Sequence, residues 1–507
     1  MLMLKKILIL ILAAILVFGA ASCKTGGNDA DNKDNNNNNK NNNENNGESA
    51  QDSAQSDNGE IKDPRDIPDD LPEANLGGRD FNILCHEMLT VEFVAEEENG
   101  DIVNDALYKR TLNVSERFNV NINMLQIPGT WNDKDSFMRT VRNSVKAGES
   151  TYDLVAGVTS YIPNLIPENI FMNINKAGNL NFSKPWWGDD LIKELSVGDK
   201  LYLVTGDVAL SMWDCIFVFY FNKQLVQDNS LPDLYGLVKT NKWTYDKFVE
   251  LSKTVSKDLD GNGKYDKNDM FGFVTTTGTV VNAFPGAFDL KITEKDQNNI
   301  PYAQLDTGKW TDVAAKLVDL HYNTTSSLTL ADGSDRDIIM PMFEENRALF
   351  FPQTLSFSRD FRAMETDFGI LPFPLYDENQ GKYYSVVRNA MSLLGIPTTV
   401  SNPDDCGLIL EALAAESYKV VIPAYYDVAL KVKQTRDEES GEMLDIIRDN
   451  LWMNFGYSYN MSTGNVGNYM RELIEKKSQN FMSMYESTFE TRKATFDKFI
   501  ENVLNLE

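Results

Sequence analysis

Residues 81–85, Phe-Asn-Ile-Leu-Cys, form a short apolar run that predicts a buried β-strand near the start of the folded body. A helical spacing of apolar residues follows at 102–118, and a second apolar strand is predicted at 120–125. Another helical pattern leads into residues 152–158, which again indicate a buried strand. Strands that alternate with helices are typical of a mainly parallel sheet covered by helices, so the sequence predicts an α/β fold.

The carboxyl ends of these predicted strands indicate where a ligand would bind, because open sheets of this kind hold ligands beyond those ends. Residues 86–88 and 159–161 follow the first and third predicted strands. Glu87 and Tyr161 are therefore candidate ligand-binding residues.

The N-terminal residues predict export from the cell. Lys5 and Lys6 precede an apolar run that ends in small residues before Cys23, which is the order of a signal peptide covering residues 1–22. The site resembles a bacterial lipoprotein processing site, although Ala20 stands where such sites prefer leucine. Cys23 would then carry the lipid. A stop-transfer anchor is the alternative, and it would also hold the protein outside the cell.

Residues 23–77 are predicted to be a disordered tether. Asn, Asp, Lys, Gly and Ser dominate this stretch up to about Pro64. Such a composition buries too little apolar surface to offset the entropy cost of ordering the chain. A tether of this kind would hold a folded body away from the membrane.

The rest of the chain is long enough for two domains. The pattern changes after Leu201, where two apolar strands flank a Met-Trp-Asp sequence, and we place the first crossing between lobes there. The predicted first lobe comprises residues 78–210 and 360–418. The predicted second lobe comprises residues 211–359 and 419–507.

Charge and composition exclude several classes of function. The net charge is −27, which argues against nucleic acid as a partner. Cys85, Cys215 and Cys406 lie in or beside apolar segments without Cys-x-x-Cys spacing, so neither a disulfide framework nor a cysteine zinc site is expected. The chain has only His86 and His321, which argues against a histidine zinc centre. The folded body contains no Walker loop, dinucleotide fingerprint or nucleophile elbow.

Several segments, taken in order, resemble the extracellular solute-binding proteins that serve ABC sugar importers (solute-binding protein family 1). They are Tyr152-Asp153-Leu154-Val155, Lys184-Pro185-Trp186-Trp187, Tyr220-Phe221-Asn222-Lys223, Trp243-Thr244, Phe368-Gly369-Ile370-Leu371-Pro372, Pro423-Ala424-Tyr425-Tyr426 and Met443-Leu444-Asp445. The resemblance implies a type II periplasmic-binding fold, in which the chain crosses three times between two lobes that close by a hinge. It also implies a monomer that passes a carbohydrate to ABC permease subunits.

A calcium loop is predicted after the helical pattern that begins at Thr244. Oxygen side chains occupy positions 1, 3, 5, 9 and 12 of a twelve-residue loop, Gly263 occupies position 6, and position 7 offers a backbone carbonyl. The predicted ligands are Asp258, Asp260, Asn262, Lys264, Asp266 and Asp269. The short Asp269 replaces the usual Glu, so a modest affinity and a structural role are expected. The alternative is a solvated Asp and Gly turn.

Aromatic residues in predicted loops indicate a carbohydrate ligand, because sugars pack their apolar faces on flat rings while polar groups bind the rim hydroxyls. The candidates are Trp131, Tyr161, Trp213, Tyr426 and Trp452, together with Asp214 and Arg388. Core packing is the alternative for each ring, and a surface ion pair is the alternative for Arg388.

Three roles remain open from the sequence. The preferred one is substrate binding without turnover. A surface enzyme acting on glycans is an alternative, because paired catalytic carboxylates have no fixed spacing in sequence. A ligand-presenting partner of a sensor kinase is the third.

Overall fold

The computed structural model describes residues 63, 66–87, 90–434 and 437–506. The predicted signal peptide, the predicted lipidation site Cys23 and most of the predicted tether lie outside the described residues. The strands are β1 (Arg79–His86), β2 (Val120–Ile127), β3 (Leu154–Val158), β4 (Phe217–Asn222), β5 (Phe271–Thr276), β6 (Thr293–Lys295), β7 (Pro301–Ala303), β8 (Ser327–Leu330), β9 (Ala348–Thr354), β10 (Phe368–Leu371), β11 (Ser385–Val386), β12 (Ser392–Gly395) and β13 (Leu451–Trp452).

Helices cover the four-stranded and the five-stranded sheet that these strands form, beside the two-stranded sheets β11-β13 and β6-β7. They are α1 (Thr90–Phe93), α2 (Ile102–Phe118), α3 (Lys134–Lys146), α4 (Asp189–Leu195), α5 (Ser211–Asp214), α6 (Lys223–Asp228), α7 (Leu234–Lys239), α8 (Tyr245–Val255), α9 (Ala283–Ala287), α10 (Thr307–Tyr322), α11 (Met340–Glu344), α12 (Pro403–Glu416), α13 (Glu438–Arg448), α14 (Phe455–Ser458), α15 (Tyr469–Glu475) and α16 (Phe481–Leu504). Within the described part of the chain, no helix combines the length and apolarity needed to cross a membrane.

The first sheet has the strand order β12-β3-β1-β2. β1 pairs in parallel with β2 and β3, as predicted, and β12 adds an antiparallel edge beside β3. All five residues of β3 are buried, as expected for a strand covered on both faces. The intervening α2 begins where Asp101 accepts hydrogen bonds from two backbone N–H groups of the first turn.

The second sheet has the strand order β10-β4-β9-β5-β8. β5 is parallel to β8 and β9, whereas β4 is antiparallel to both β9 and β10. Phe219 of β4 is fully buried and lies within 6.2 Å, between ring centroids, of six other rings. This aromatic cluster is the centre of the second lobe.

The described chain passes between the two sheets in three places, as the family resemblance implies. Val204 and Ile216 of the first passage pair with Leu394 and Val387 of the second passage, respectively. The first two passages therefore run side by side. The third passage consists of two π-helical segments, Ser417–Val421 and Ala424–Gln434, which contact α2. The chain then continues into α13, which packs on β10.

One predicted lobe boundary differs from the structure, and the C-terminal helix makes an additional contact that was not predicted. Residues 360–384 belong to the second lobe, because β10 pairs with β4 of the second sheet. The sequence of a four-residue apolar strand such as β10 does not show which strand it pairs with, because its partner lies far away in the sequence. Helix α16 packs on the second lobe and also on the turn Ile162–Glu168 of the first, so the C-terminal helix contacts both lobes.

The predicted tether extends too far towards the folded body. Ile67, Leu71 and Leu76 pack against the core, and the Asp69 carboxylate pairs with the Arg117 guanidinium at 2.5 Å. Isolated apolar residues in a polar stretch gave no periodicity, so the sequence did not reveal this contact.

Candidate functional site

A cavity of about 520 Å³ lies between the two lobes. One wall holds Val158, the last residue of β3, and Ser160 just beyond it. The opposite wall holds Thr279 and Asn282, which follow β5. Asp332 follows β8 on the same wall as Asn282. The cavity therefore occupies the carboxyl ends of the parallel strands, where the sequence predicted a ligand.

Arg388 lies at the base of this interlobe cleft, on the second passage between lobes. Its backbone N–H donates to the carbonyl of Cys215 at 2.8 Å, which fixes the chain, while its guanidinium Nε is buried and lacks a partner within the described residues. The Asn282 Oδ1 is buried without a partner among the described residues as well. Buried polar groups normally have hydrogen-bond partners, so these two atoms indicate a polar ligand.

Amide and guanidinium groups line the opposite rim. Asn460 Oδ1 accepts from the Gly467 N–H at 3.0 Å, and Asn460 Nδ2 donates to Asn468 Oδ1 at 2.8 Å, so the loop is held by its own side chains. The Arg471 guanidinium pairs with the Asp332 carboxylate at 3.1 Å. The amide groups both donate and accept hydrogen bonds and the guanidinium donates them, which suits a ligand rich in hydroxyl groups.

Trp131 provides the large aromatic surface of the cleft. Its side chain is 55% exposed, which is unusual for a tryptophan in a folded protein, and it lines the cavity. Tyr161 does not line the cavity. It is fully buried, and its hydroxyl donates to the Gly129 carbonyl at 2.9 Å, which supports the loop that carries Trp131.

Other predicted site residues lie elsewhere. Trp213 and Tyr426 line a second cavity, with their ring centroids 5.9 Å apart. Asp214 is buried, and its carboxylate forms a two-pronged ion pair with Arg359 at 2.8 and 2.9 Å. Trp452 is buried in β13.

Glu87 is exposed just beyond the end of β1. Of the eight predicted ligand-binding residues, the structure therefore brings Trp131 and Arg388 together in the cleft and separates the rest from it.

Sequence reasoning missed most of the polar lining. The missed residues that carry the argument are Ser160, Asn282, Asp332, Asn460, Asn465, Asn468 and Arg471. The run of asparagine, glycine and serine at 460–468 was a usable signal, because such residues rarely form a core. Asn282 and Asp332 gave no local signal, since only the sheet order brings them together.

The predicted calcium loop brings three carboxylates together. One oxygen each from Asp258, Asp260 and Asp269 lies within 4.8 Å of the others. These residues occupy positions 1, 3 and 12, and carboxylate oxygens suit a calcium ion. Asp266 at position 9 is not in this group; its carboxylate accepts the Asn268 N–H at 2.9 Å. Position 9 often reaches calcium through water, so the donor set is compatible with the ion.

A buried hydrogen-bond network joins the first two passages to the first lobe. The Glu92 carboxylate accepts the Ser211 N–H at 3.1 Å and the Ser392 hydroxyl at 2.7 Å, and it also accepts the Ser211 hydroxyl. The Ser392 hydroxyl lies 2.8 Å from His86 Nε2. Burial raises the pKa of Glu92 to about 7, while the serine hydrogen bonds oppose that rise.

Replacing this acid by its neutral isostere, Glu92→Gln, is expected to stabilise the protein increasingly as the pH rises. Folding retains a proton on Glu92 between its unfolded pKa of about 4.3 and its folded pKa of about 7. The native protein therefore loses stability as the pH rises through this window. We expect the variant to gain about 2 kcal/mol relative to wild type between pH 5 and pH 8.

Denaturant unfolding at both pH values measures this difference. Burial lowers the pKa of His86 to about 4, which gives the opposite slope, but His86 is common to both proteins and cancels. A pH-independent difference between the two proteins would show that Glu92 is ionised throughout.

The fold and the cleft define a two-lobe periplasmic binding architecture. The galacto-N-biose/lacto-N-biose I-binding protein of an ABC transporter from Bifidobacterium longum matches with a TM-score of 0.55 and 12% identity, over 84% of this chain and 98% of that chain. A sugar transporter from Rhizobium etli in an open conformation matches with a TM-score of 0.55 and 13% identity, over 84% and 100%.

The GacH receptor of Streptomyces glaucescens, solved unliganded and with acarbose, matches with a TM-score of 0.51 and 9% identity, over 85% of this chain and 100% of that one. No protein-family model and no curated protein sequence matches the chain. The structural matches show that the chain has the mixed α/β fold of two-lobe, maltose-binding-protein-like proteins.

Proposed function

We propose that this protein is the extracellular solute-binding component of an ABC importer, and that it binds a carbohydrate between its lobes without turnover. The observation that carries the proposal is the interlobe cleft. Its base has an unpartnered buried nitrogen on Arg388, and its walls present the unpartnered Asn282 Oδ1 and the exposed ring of Trp131. A flat ring beside such groups is the combination that a sugar requires.

The carboxylates of the cleft favour binding over hydrolysis. Glycoside hydrolysis generally uses a pair of carboxyl groups about 5 to 9.5 Å apart across the scissile bond. Among the described residues that line the cavity, Asp332 is the one carboxylate, and its charge is paired with Arg471. The described lining residues thus offer groups that hold a sugar but only one carboxyl group, whereas glycoside hydrolysis generally uses two.

Anchoring and transport partners complete the proposal. The lipid on Cys23 would keep the protein at the outer face of the membrane, and ABC permease subunits would receive the sugar from the closed lobes. The matched proteins of Bifidobacterium longum and Rhizobium etli are described as parts of sugar transport systems, which supports this assignment. We further propose that the protein acts as a monomer.

A titration of the purified protein with a panel of neutral oligosaccharides tests the proposal. We expect at least one to give saturable heat in calorimetry and a higher unfolding temperature, with no new product in chromatography after prolonged incubation. Release of shorter sugars would instead support a surface enzyme. Saturable binding combined with unchanged sugar uptake in a strain lacking the protein would support a sensory role.

We also propose that the loop from Asp258 to Asp269 binds calcium and holds the end of α8. The Asp269 carboxylate, which is fully buried, accepts the N–H groups of Leu259 and Asp266 at 2.9 and 2.8 Å. These hydrogen bonds hold the two ends of the loop close together, as a loop that binds an ion requires. The exposed Asp260 adds a negative charge that a divalent ion would neutralise.

Calcium is expected to raise the unfolding temperature modestly, and Asp260→Asn is expected to remove that increase. With about 10 mM calcium and a dissociation constant of about 0.5 mM, the gain is about 1.8 kcal/mol, or about 2 °C for a protein of this size. Differential scanning calorimetry with and without a chelator measures it. The control is Asp190→Asn at a fully exposed site, which should keep the response. An equal response in both variants would place the ion elsewhere.

A further inference from the structure

A second cavity, of about 420 Å³, shares no lining residue with the interlobe cleft. Asp207 and Trp213, from the first passage between lobes, form one side of it. Tyr418 and Tyr426, from the two π-helical segments of the third passage, form another. π-helical turns are rare and occur frequently at functional sites, which makes this second cavity a candidate ligand-binding site.

The polar atoms of its aromatic residues are already engaged. The indole N–H groups of Trp186 and Trp187 donate to the Glu411 carboxylate at 2.8 and 2.9 Å. The Tyr426 hydroxyl donates to the Leu444 carbonyl. These three side chains are almost completely buried and have few hydrogen bonds left for a ligand, which does not suit a ligand covered with hydroxyl groups.

Asp207 is the exception to this apolar lining. It is only 4% exposed; one carboxylate oxygen accepts the Trp213 indole N–H at 3.1 Å, and the other has no hydrogen-bond partner among the described residues. Burial raises the pKa of Asp207 to about 8, and the nearby Arg448 opposes the rise. In its ionised form, a buried carboxylate with a free oxygen is a strong counter-charge for a cation.

The other charges around the second cavity favour a positive ligand as well. Two cations lie over the Tyr426 ring, the Arg448 guanidinium at 5.0 Å and the Lys431 ammonium at 5.4 Å from its centroid. Asp445 pairs with both cations and Asp449 pairs with Arg448, so these carboxylates compensate the two charges. Asp427 lines the cavity and is exposed, which adds a second carboxylate on the way in. Aromatic faces attract cations through their electron-rich surfaces.

We propose that the second cavity binds a small organic cation with a substituted ammonium group. The rings of Trp213 and of the half-buried Tyr418 would contact its carbon substituents, and the free oxygen of Asp207 would face its charge. The volume fits a small molecule. This assignment is independent of a carbohydrate in the interlobe cleft.

Calorimetric titration of the full protein with choline and with its neutral isostere 3,3-dimethylbutan-1-ol tests the proposal. We expect choline to bind about tenfold more tightly than the alcohol, because only choline carries the charge. Asp207→Asn, which keeps the shape, should weaken choline binding about tenfold, while the exposed Asp190→Asn should not change it. Equal affinity for the two probes, no detectable binding of choline, or an unaffected Asp207→Asn variant would overturn the proposal.

A measurement on the wild-type protein keeps the proposal testable even if Asp207→Asn does not fold. Choline should bind preferentially to the ionised form of Asp207. The affinity of the protein for choline should therefore increase from pH 6 to pH 9, whereas its affinity for the alcohol should stay the same. Arg448 and Tyr418, the other ionisable groups close to Asp207, keep their protonation over that range because their pKa values are raised. A choline affinity that does not change with pH would contradict the proposal. Oligosaccharide binding in the interlobe cleft is measured in a separate titration. Failure of the organic cation to bind the second cavity would therefore leave the carbohydrate assignment unaffected, and the reverse also holds.

Discussion

Arg388→Ala is expected to weaken oligosaccharide binding about 10-fold to 100-fold. The guanidinium lies at the base of the cleft, and its buried Nε has no partner within the described residues, so a bound hydroxyl group would take that hydrogen bond. Hydrogen bonds to charged groups contribute about 1.5 to 3 kcal/mol, which corresponds to this loss of affinity. Calorimetry with the tightest-binding oligosaccharide measures the change.

The matched control is Arg139→Ala, which removes an exposed arginine from α3 outside the cleft. This variant should bind the sugar like wild type. Arg388→Lys should recover part of the affinity, because the charge remains but the planar group with its five donors does not. Wild-type affinity in Arg388→Ala would mean that the sugar does not reach the base of the cleft.

Phe219→Ala is expected to lower the free energy of unfolding by about 3 to 5 kcal/mol, the usual cost of removing a buried aromatic ring. Phe219 is fully buried in β4, and its ring centroid lies 4.6 Å from that of Phe373 and 5.2 Å from that of Phe248. The cavity left behind would lie at the centre of the second lobe. Denaturant unfolding followed by circular dichroism measures the loss.

Phe489→Ala provides the control, because Phe489 lies half-buried on α16, where its ring stacks on Tyr485. That substitution should cost less than about 1.5 kcal/mol, since the site remains open to solvent. If the two variants were equally stable, Phe219 would not be at the centre of a packed core.

The fold was predictable because strand and helix patterns in the first lobe are local. The runs at 81–85, 120–125 and 152–158 became the adjacent strands β1, β2 and β3, and the carboxyl end of β3 borders the cleft. The boundary at residue 360 was wrong, because β10 joins the second sheet through pairing with β4. Strand pairing across long sequence separations cannot be read from periodicity.

The chemical character of the site could be predicted from the sequence, but only some of its residues could. Trp131 and Arg388 were found because an aromatic ring and a guanidinium in predicted loops suit a sugar. The same reasoning selected Asp214, whose carboxylate is instead paired with Arg359 inside the protein. Aromatic and charged residues serve cores and sites alike, and only their spatial neighbours decide between the two.

Small-angle X-ray scattering of the protein, with and without a saturating oligosaccharide, tests the central claim most directly. If two lobes joined by a hinge grip the sugar in the cleft between them, the radius of gyration should decrease when the sugar binds, as it does for any closure of two bodies. Saturable binding of the sugar with an unchanged scattering profile would contradict the account.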